Sequence, residues 1–279
     1  MTPQAERYAN LVSGADEEIN LAEGALLIAS DEYVNLDIAA YLARLDQLAA
    51  SLKRRLRPDI SPADTILALN RFLFEEQGFT GNAADYYDPR NSFLNEVLDR
   101  KCGIPITLAV VYVEIGRRIG LTVQGVSFPG HFLVKCLLRN GTVILDPFTR
   151  GASLSFDDLK ERIKSLHGGA EPARSVVASM LDGASNKEIL LRMLRNLKSI
   201  YTHHKDWMRA LSTMDRIVST VPDAAEEYRD RGMIYLNLEC FRAALFDFQA
   251  YLKMLPAAQD ARDVRSKVAE LAALTSRLN

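Results

Sequence analysis

Three residue types that together make a thiol nucleophile usable occur in order along the chain: Cys102, His131 and Asp146. A thiolate attacks carbonyl carbon, a histidine takes or shares the thiol proton, and a carboxylate fixes the histidine tautomer and favours its charged form. Cys102 stands just ahead of an apolar segment opened by Pro105. A thiol near a helix N-terminus meets unpaired N–H groups and the positive end of the dipole, which favours thiolate. The chemistry open to this set is cysteine-dependent acyl transfer or amide hydrolysis. The same residues also read as structural: a half-buried thiol, a strand-end histidine satisfied by backbone, and an aspartate starting a turn before Pro147.

Other chemistries lack their residues. There is no phosphate-cradling Gly-rich loop followed by Lys-Ser or Lys-Thr, no histidine pair at metal-binding helical spacing and no calcium loop, so neither a cofactor nor a metal is expected. His203 and His204 are adjacent on a helix, where their directions diverge by about 100°. Three cysteines at long spacings suit neither a disulfide framework nor a zinc site. Cys136 alternates to the strand face opposite His131, and Cys240 reads as a packed thiol.

The elements that must position the set follow from periodicity. Leu108, Val111, Tyr112, Ile115 and Ile119 share one helical face, and Ala109, Val110 and Val113 keep most of the other side apolar, which predicts a buried helix. Pro105 suits its first turn, Arg117 and Arg118 its last, and Gly120 its left-handed stop. Strands are expected over 122–128, 131–138 and 143–146, with a turn at Asn140-Gly141. A two-residue turn there would pair Arg139 with Thr142 and Lys135 with Asp146, leaving His131 roughly 13 Å along its strand. Contact between His131 and Asp146 then calls for a wider loop, with residues 136–141 unpaired. Upstream, apolar residues recurring at three and four predict amphipathic helices between about 16 and 57 and from Pro62 to Gln77. Helices followed by an antiparallel meander make an α+β domain.

The stretch Tyr87-Asp88-Pro89-Arg90-Asn91-Ser92-Phe93-Leu94-Asn95, then Gly103-Ile104-Pro105-Ile106, Pro129-Gly130-His131-Phe132-Leu133-Val134 and Asp146-Pro147-Phe148 resembles the bacterial SirB-one family. The resemblance runs from roughly Leu21 to Tyr251. It implies a transglutaminase-like (papain-like) α+β domain with a helical N-terminal part, followed by an all-α tetratricopeptide-repeat domain. Cys102, His131 and Asp146 then stand as the catalytic candidates.

Repeats are visible directly. A shift of 34 residues superimposes Tyr201 on Tyr235, Ala210 on Ala244, Leu211 on Leu245, Met214 on Phe248 and Pro222 on Pro256. Lys198 falls where the second copy has Gly232, and a final helix from about Asp260 to Leu278 is expected to cap the pair. Breaks at 167–172 and 182–186, with Asn186 as a candidate cap, divide the chain into 1–182 and 186–279. A length of 279 residues suits about two domains. A net charge of −2 sets up no field toward nucleic acid, and the basic run Lys53-Arg54-Arg55 with Arg57 reads as the solvated end of a helix stopped by Pro58. No stretch reaches membrane-span length and the N-terminal residues lack signal-peptide character, so a cytoplasmic protein is expected. Two functions fit: an acyl-transfer or amide-hydrolysing enzyme whose repeats select a protein substrate, or a non-catalytic interaction protein with a degenerate transglutaminase-like domain. The oligomeric state is not legible.

Overall fold

The computed structural model describes residues 2–166 and 171–277, so most of the His167–Pro172 break lies outside the described residues, as does Leu278. The chain forms two compact units. Gly14–Met193 makes the first, and the segment from Leu194 onward joins the N-terminal thirteen residues in the second. The N-terminal helix thus goes with the repeats, and the sequence-based boundary differs from this division.

In the chain order, α1 is Pro3–Ser13, α2 Leu21–Ala29, α3 Ile38–Lys53 and α4 Pro62–Asn70. The helix expected over 62–77 changes winding at Asn70 and runs on as a π-helix over Arg71–Glu76, burying Phe72, Leu73 and Phe74. Then come β1 (Thr80–Gly81), α5 (Leu94–Arg100), β2 (Cys102–Gly103) and α6 (Pro105–Arg118). Every residue of α6 from Pro105 to Gly116 is buried. Its one buried acid, Glu114, pairs with Arg118, which also reaches Asp46 at 2.7 Å. Gly120 follows at φ +96° and lets the Leu121 N–H return to the Gly116 carbonyl at 2.9 Å.

The sheet follows: β3 (Val123–Val126), β4 (Leu133–Leu138), β5 (Gly141–Asp146) and β6 (Ala152–Leu154), an antiparallel meander in sequence order. Its hairpin corrects the expected register. Leu138 pairs with Gly141, so Arg139 and Asn140 form the turn, and Cys136 pairs with Val143. Gly141, at φ +151°, takes a ladder position that a side chain would resist, rather than the second turn position. Val134 faces Leu145, so the next pair sets Leu133 opposite Asp146 and His131 only two residues further on. No wide loop is needed. The helices α7 (Phe156–Leu166) and α8 (Arg174–Ser179) then cover a small core of Val126, Phe128, Leu133, Ile144, Leu159, Ile163 and Val177.

The helix α9 (Asn186–His203) is capped by Ser185 rather than Asn186: the Glu188 N–H donates to Ser185 Oγ at 3.1 Å, and the Ser185 N–H donates to Glu188 Oε2 at 2.7 Å. Asn186 instead accepts from Arg117 at 3.0 Å.

In the second unit, α10 (Trp207–Thr220), α11 (Ala225–Asn237), α12 (Phe241–Met254) and α13 (Ala261–Arg277) follow. Ala210 and Ala244 are both fully buried, as are Met214 and Phe248 one turn on. At α1, the Tyr8 hydroxyl lies 3.0 Å from that of Thr220, and the Arg216 guanidinium covers the Tyr8 ring. His203 and His204 do not diverge as an unbroken helix would require. The helix ends at His203, Lys205 turns left-handed at φ +57°, and the two rings meet edge-on at 5.4 Å.

Candidate functional site

The meander and α7 assemble the polar centre of the first unit. The Phe128–His131 turn closes with the His131 N–H on the Phe128 carbonyl at 3.1 Å, and Gly130 at φ +67° lets the chain reverse before β4. This swings His131 back over the end of β5, where its Nε2 lies 2.9 Å from Asp146 Oδ1. Asp146 is fully buried and has no free oxygen: Oδ1 also accepts the Phe148 N–H at 3.1 Å, and Oδ2 receives both terminal nitrogens of Arg162 at 3.1 Å. Burial alone would raise the Asp146 pKa. Hydrogen bonds and charge from His131, then from Arg162, outweigh that and hold it below the ordinary carboxylate value. The His131 side chain keeps 20% of its surface exposed, so with Nε2 on the carboxylate it is Nδ1 that can meet a reacting group.

Aromatic rings continue from this pair. Phe148 stands edge-on to His131 at 6.0 Å between centroids and to Tyr86 at 6.3 Å, and Tyr86 stands edge-on to Tyr87 at 5.4 Å. Burial pushes the Tyr86 hydroxyl pKa up, Tyr87 adds to it and Arg192 opposes it. The loop carrying both tyrosines is held by Asn91, whose side chain donates to the Asp85 carbonyl at 2.7 Å and accepts from Asn82 at 3.1 Å.

Cys102 lies in β2, which pairs in parallel with β1, Thr80 opposite Cys102 and Gly81 opposite Gly103. Gly81 lies flat against the Phe148 ring, where an added Cβ would come within 2.6 Å of it. A Cβ on Gly103 would face Val97 and the Thr107 hydroxyl. Alternation along the strand therefore turns Cys102, which is half-buried, to the ribbon face opposite Gly103 and Gly81. His131, which the sequence places between this thiol and Asp146, hydrogen-bonds Asp146.

The first turn of α6 presents Pro105, Ile106 and Thr107, all buried. Thr107 accepts the Ile104 N–H at 3.1 Å, and its hydroxyl lies 2.7 Å from the Asn91 carbonyl, so it ties the helix start to the Asn91 loop.

The sequence matches the transglutaminase-like superfamily over residues 39–195 and the tetratricopeptide repeat over 197–269. A UPF0162 protein of Xylella fastidiosa is 41% identical over 268 residues, covering 95% of this chain and 94% of the relative. The chain belongs to the transglutaminase-like superfamily. A UPF0162 protein of Pseudomonas aeruginosa is 31% identical across 97% of this chain and 98% of its own length. Protein SirB1 of Salmonella typhimurium is 25% identical across 92% and 96%. The relatives span both parts, and the expected SirB-type architecture is thereby shown: a transglutaminase-like domain followed by tetratricopeptide repeats.

Within the transglutaminase-like domain, sequence reading missed Arg162 and Phe148 as partners of the pair. Phe148 falls inside a motif already singled out, whereas Arg162 is one of several charges on an amphipathic helix and carries no local signal. Among the described residues no group of three or more His, Cys, Asp or Glu could hold a metal ion, and no helix is long and apolar enough to cross a membrane.

Proposed function

We propose that this is a protein-interaction protein: its tetratricopeptide repeats hold a partner protein, and its transglutaminase-like domain serves as a second, non-catalytic body. The observation that carries this reading is the first turn of α6. An acyl-transfer thiol gains most from the helix dipole within that turn. Here the turn holds Pro105, Ile106 and a Thr107 committed to Asn91, while Cys102 precedes it on a strand face turned from Gly81 and Phe148. Asp146 is also shared with Arg162, so His131 is one of two side chains that answer its charge. Stacked helical pairs offer the groove in which a partner is held.

The second reading, a Cys102-His131-Asp146 acyl-transfer enzyme acting on a protein selected by the repeats, is favoured by one feature: the partly exposed His131 ring oriented by buried Asp146. In that reaction the Cys102 thiolate attacks a carboxamide carbon, ammonia leaves with a proton from His131, and water or an amine takes the acyl group.

The two readings part on the pH dependence of Cys102 alkylation by iodoacetamide, measured by peptide mass spectrometry. The interaction reading expects a profile unmoved by His131→Ala. A profile shifted to higher pH by His131→Ala would overturn it in favour of the enzyme.

A further inference from the structure

We infer that the cleft between the end of α3 and the start of β3 is a binding site for a small amphiphilic carboxylate, a medium-chain acyl acid. The cleft has a volume of about 480 Å³, inside the range of small-molecule sites. Ile119 and Leu121, 8% and 9% exposed, form its floor, with Leu56, Ile60 and Leu137 among the walls. Leu137 keeps 40% of its surface open although its strand lies inside the sheet, so the cleft is an apolar surface left uncovered in the domain.

The charges at this cleft are of one dominant sign. Lys53 and Arg57 line it, with Arg54 on the same turn as Lys53. The carboxylate nearest Arg57 is Asp59, 3.9 Å from Nε and beyond hydrogen-bond length. Arg57 thus makes a loose, exposed ion pair that an incoming carboxylate can replace, and Lys53 lies exposed at the same rim. The floor has the opposite preference: α6 ends at Arg118, and its C-terminal partial negative charge meets the cleft at Ile119 and Gly120. An acid would therefore lay its chain on the apolar floor and keep its carboxylate at the rim, on Lys53 and Arg57. The basic run that reads as a solvated helix end in the sequence becomes the head-group clamp of this site.

The test is isothermal titration of the full chain at pH 7 with hexanoate, octanoate and decanoate, each below its micelle concentration, and with decyltrimethylammonium. Single-site binding should tighten about four-fold per added methylene until the floor is covered. The cation of equal chain length should bind at least ten-fold more weakly. The Lys53→Glu/Arg57→Glu double variant should erase that preference, and Leu137→Asp should weaken decanoate at least ten-fold. All three positions are exposed, so unchanged melting of these variants serves as the folding control. Absence of saturable decanoate binding below about a millimolar, where affinity corresponds to only about 4 kcal/mol, would overturn the inference. So would affinity that ignores chain length, or a double variant that binds decanoate as well as the wild type does. The chain-length series uses the unaltered protein, so the inference stays open to refutation even if a variant fails to fold.

Discussion

Each unit buries an aspartate and answers it with arginine, but the two do so differently. In the repeat unit Asp247, 1% exposed, takes two nitrogens of Arg231 at 2.7 and 2.9 Å, and Arg231 also reaches Asp215. Burial by itself lowers the Arg231 pKa, but Asp247 and then Asp215 outweigh it and raise it, so the cation is permanent. In the transglutaminase-like domain Asp146 divides its oxygens between Arg162 and a partly exposed histidine. The repeat pair closes on itself and serves packing. The other shares its aspartate with a histidine whose side chain keeps 20% of its surface exposed.

This contrast can be broken at four places. Arg231→Ala strands Asp247 in the repeat core and should cost about 3–5 kcal/mol in urea unfolding. A loss under about 1 kcal/mol would mean that water reaches Asp247. Asp146→Ala leaves Arg162, His131 and the Phe148 N–H without their acceptor and should cost about 2–3 kcal/mol near neutral pH. Because the folded-state pKa of Asp146 lies below its unfolded value of about 3.9, the stability it contributes is complete above roughly pH 4–5 and fades as pH falls through the folded value. The gap between wild type and Asp146→Asn should shrink in that acid window, and a gap that is flat down to pH 2 would contradict the ion-paired state.

The third place is the close crossing in the second repeat. Ala244 is fully buried, and Ala244→Leu should overpack it at a cost of about 2 kcal/mol, read as a lowered Tm. An unchanged Tm would remove the crossing as the seam of the repeat unit. The smallest effect is expected at Ser185→Ala, which removes the cap of α9 and should cost about 1 kcal/mol. If Asn186→Ala costs more than Ser185→Ala, the comparison must be read through the Arg117 bond as well as the cap.

Much of this protein was written in local pattern. The repeats were legible because Ala210 and Ala244, Met214 and Phe248, and Pro222 and Pro256 must recur wherever helical pairs stack at a fixed period. The buried helix was legible because Leu108 to Ile119 leave almost no polar face, and Pro105 and Gly120 mark its ends. What the tertiary structure alone decided depends on residues brought together from distant segments. A one-step change of hairpin closure, from Asn140-Gly141 to Arg139-Asn140, moved the partner of Asp146 from Lys135 to Leu133, which is why His131 reaches it without a wide loop. Arg162 joins that carboxylate from α7, sixteen residues on, with no motif to announce it. Periodicity reports which face of an element is apolar. It carries no information on which charged group of a later helix will find a buried acid, because that choice is made by packing and by the high cost of leaving such an acid unpaired.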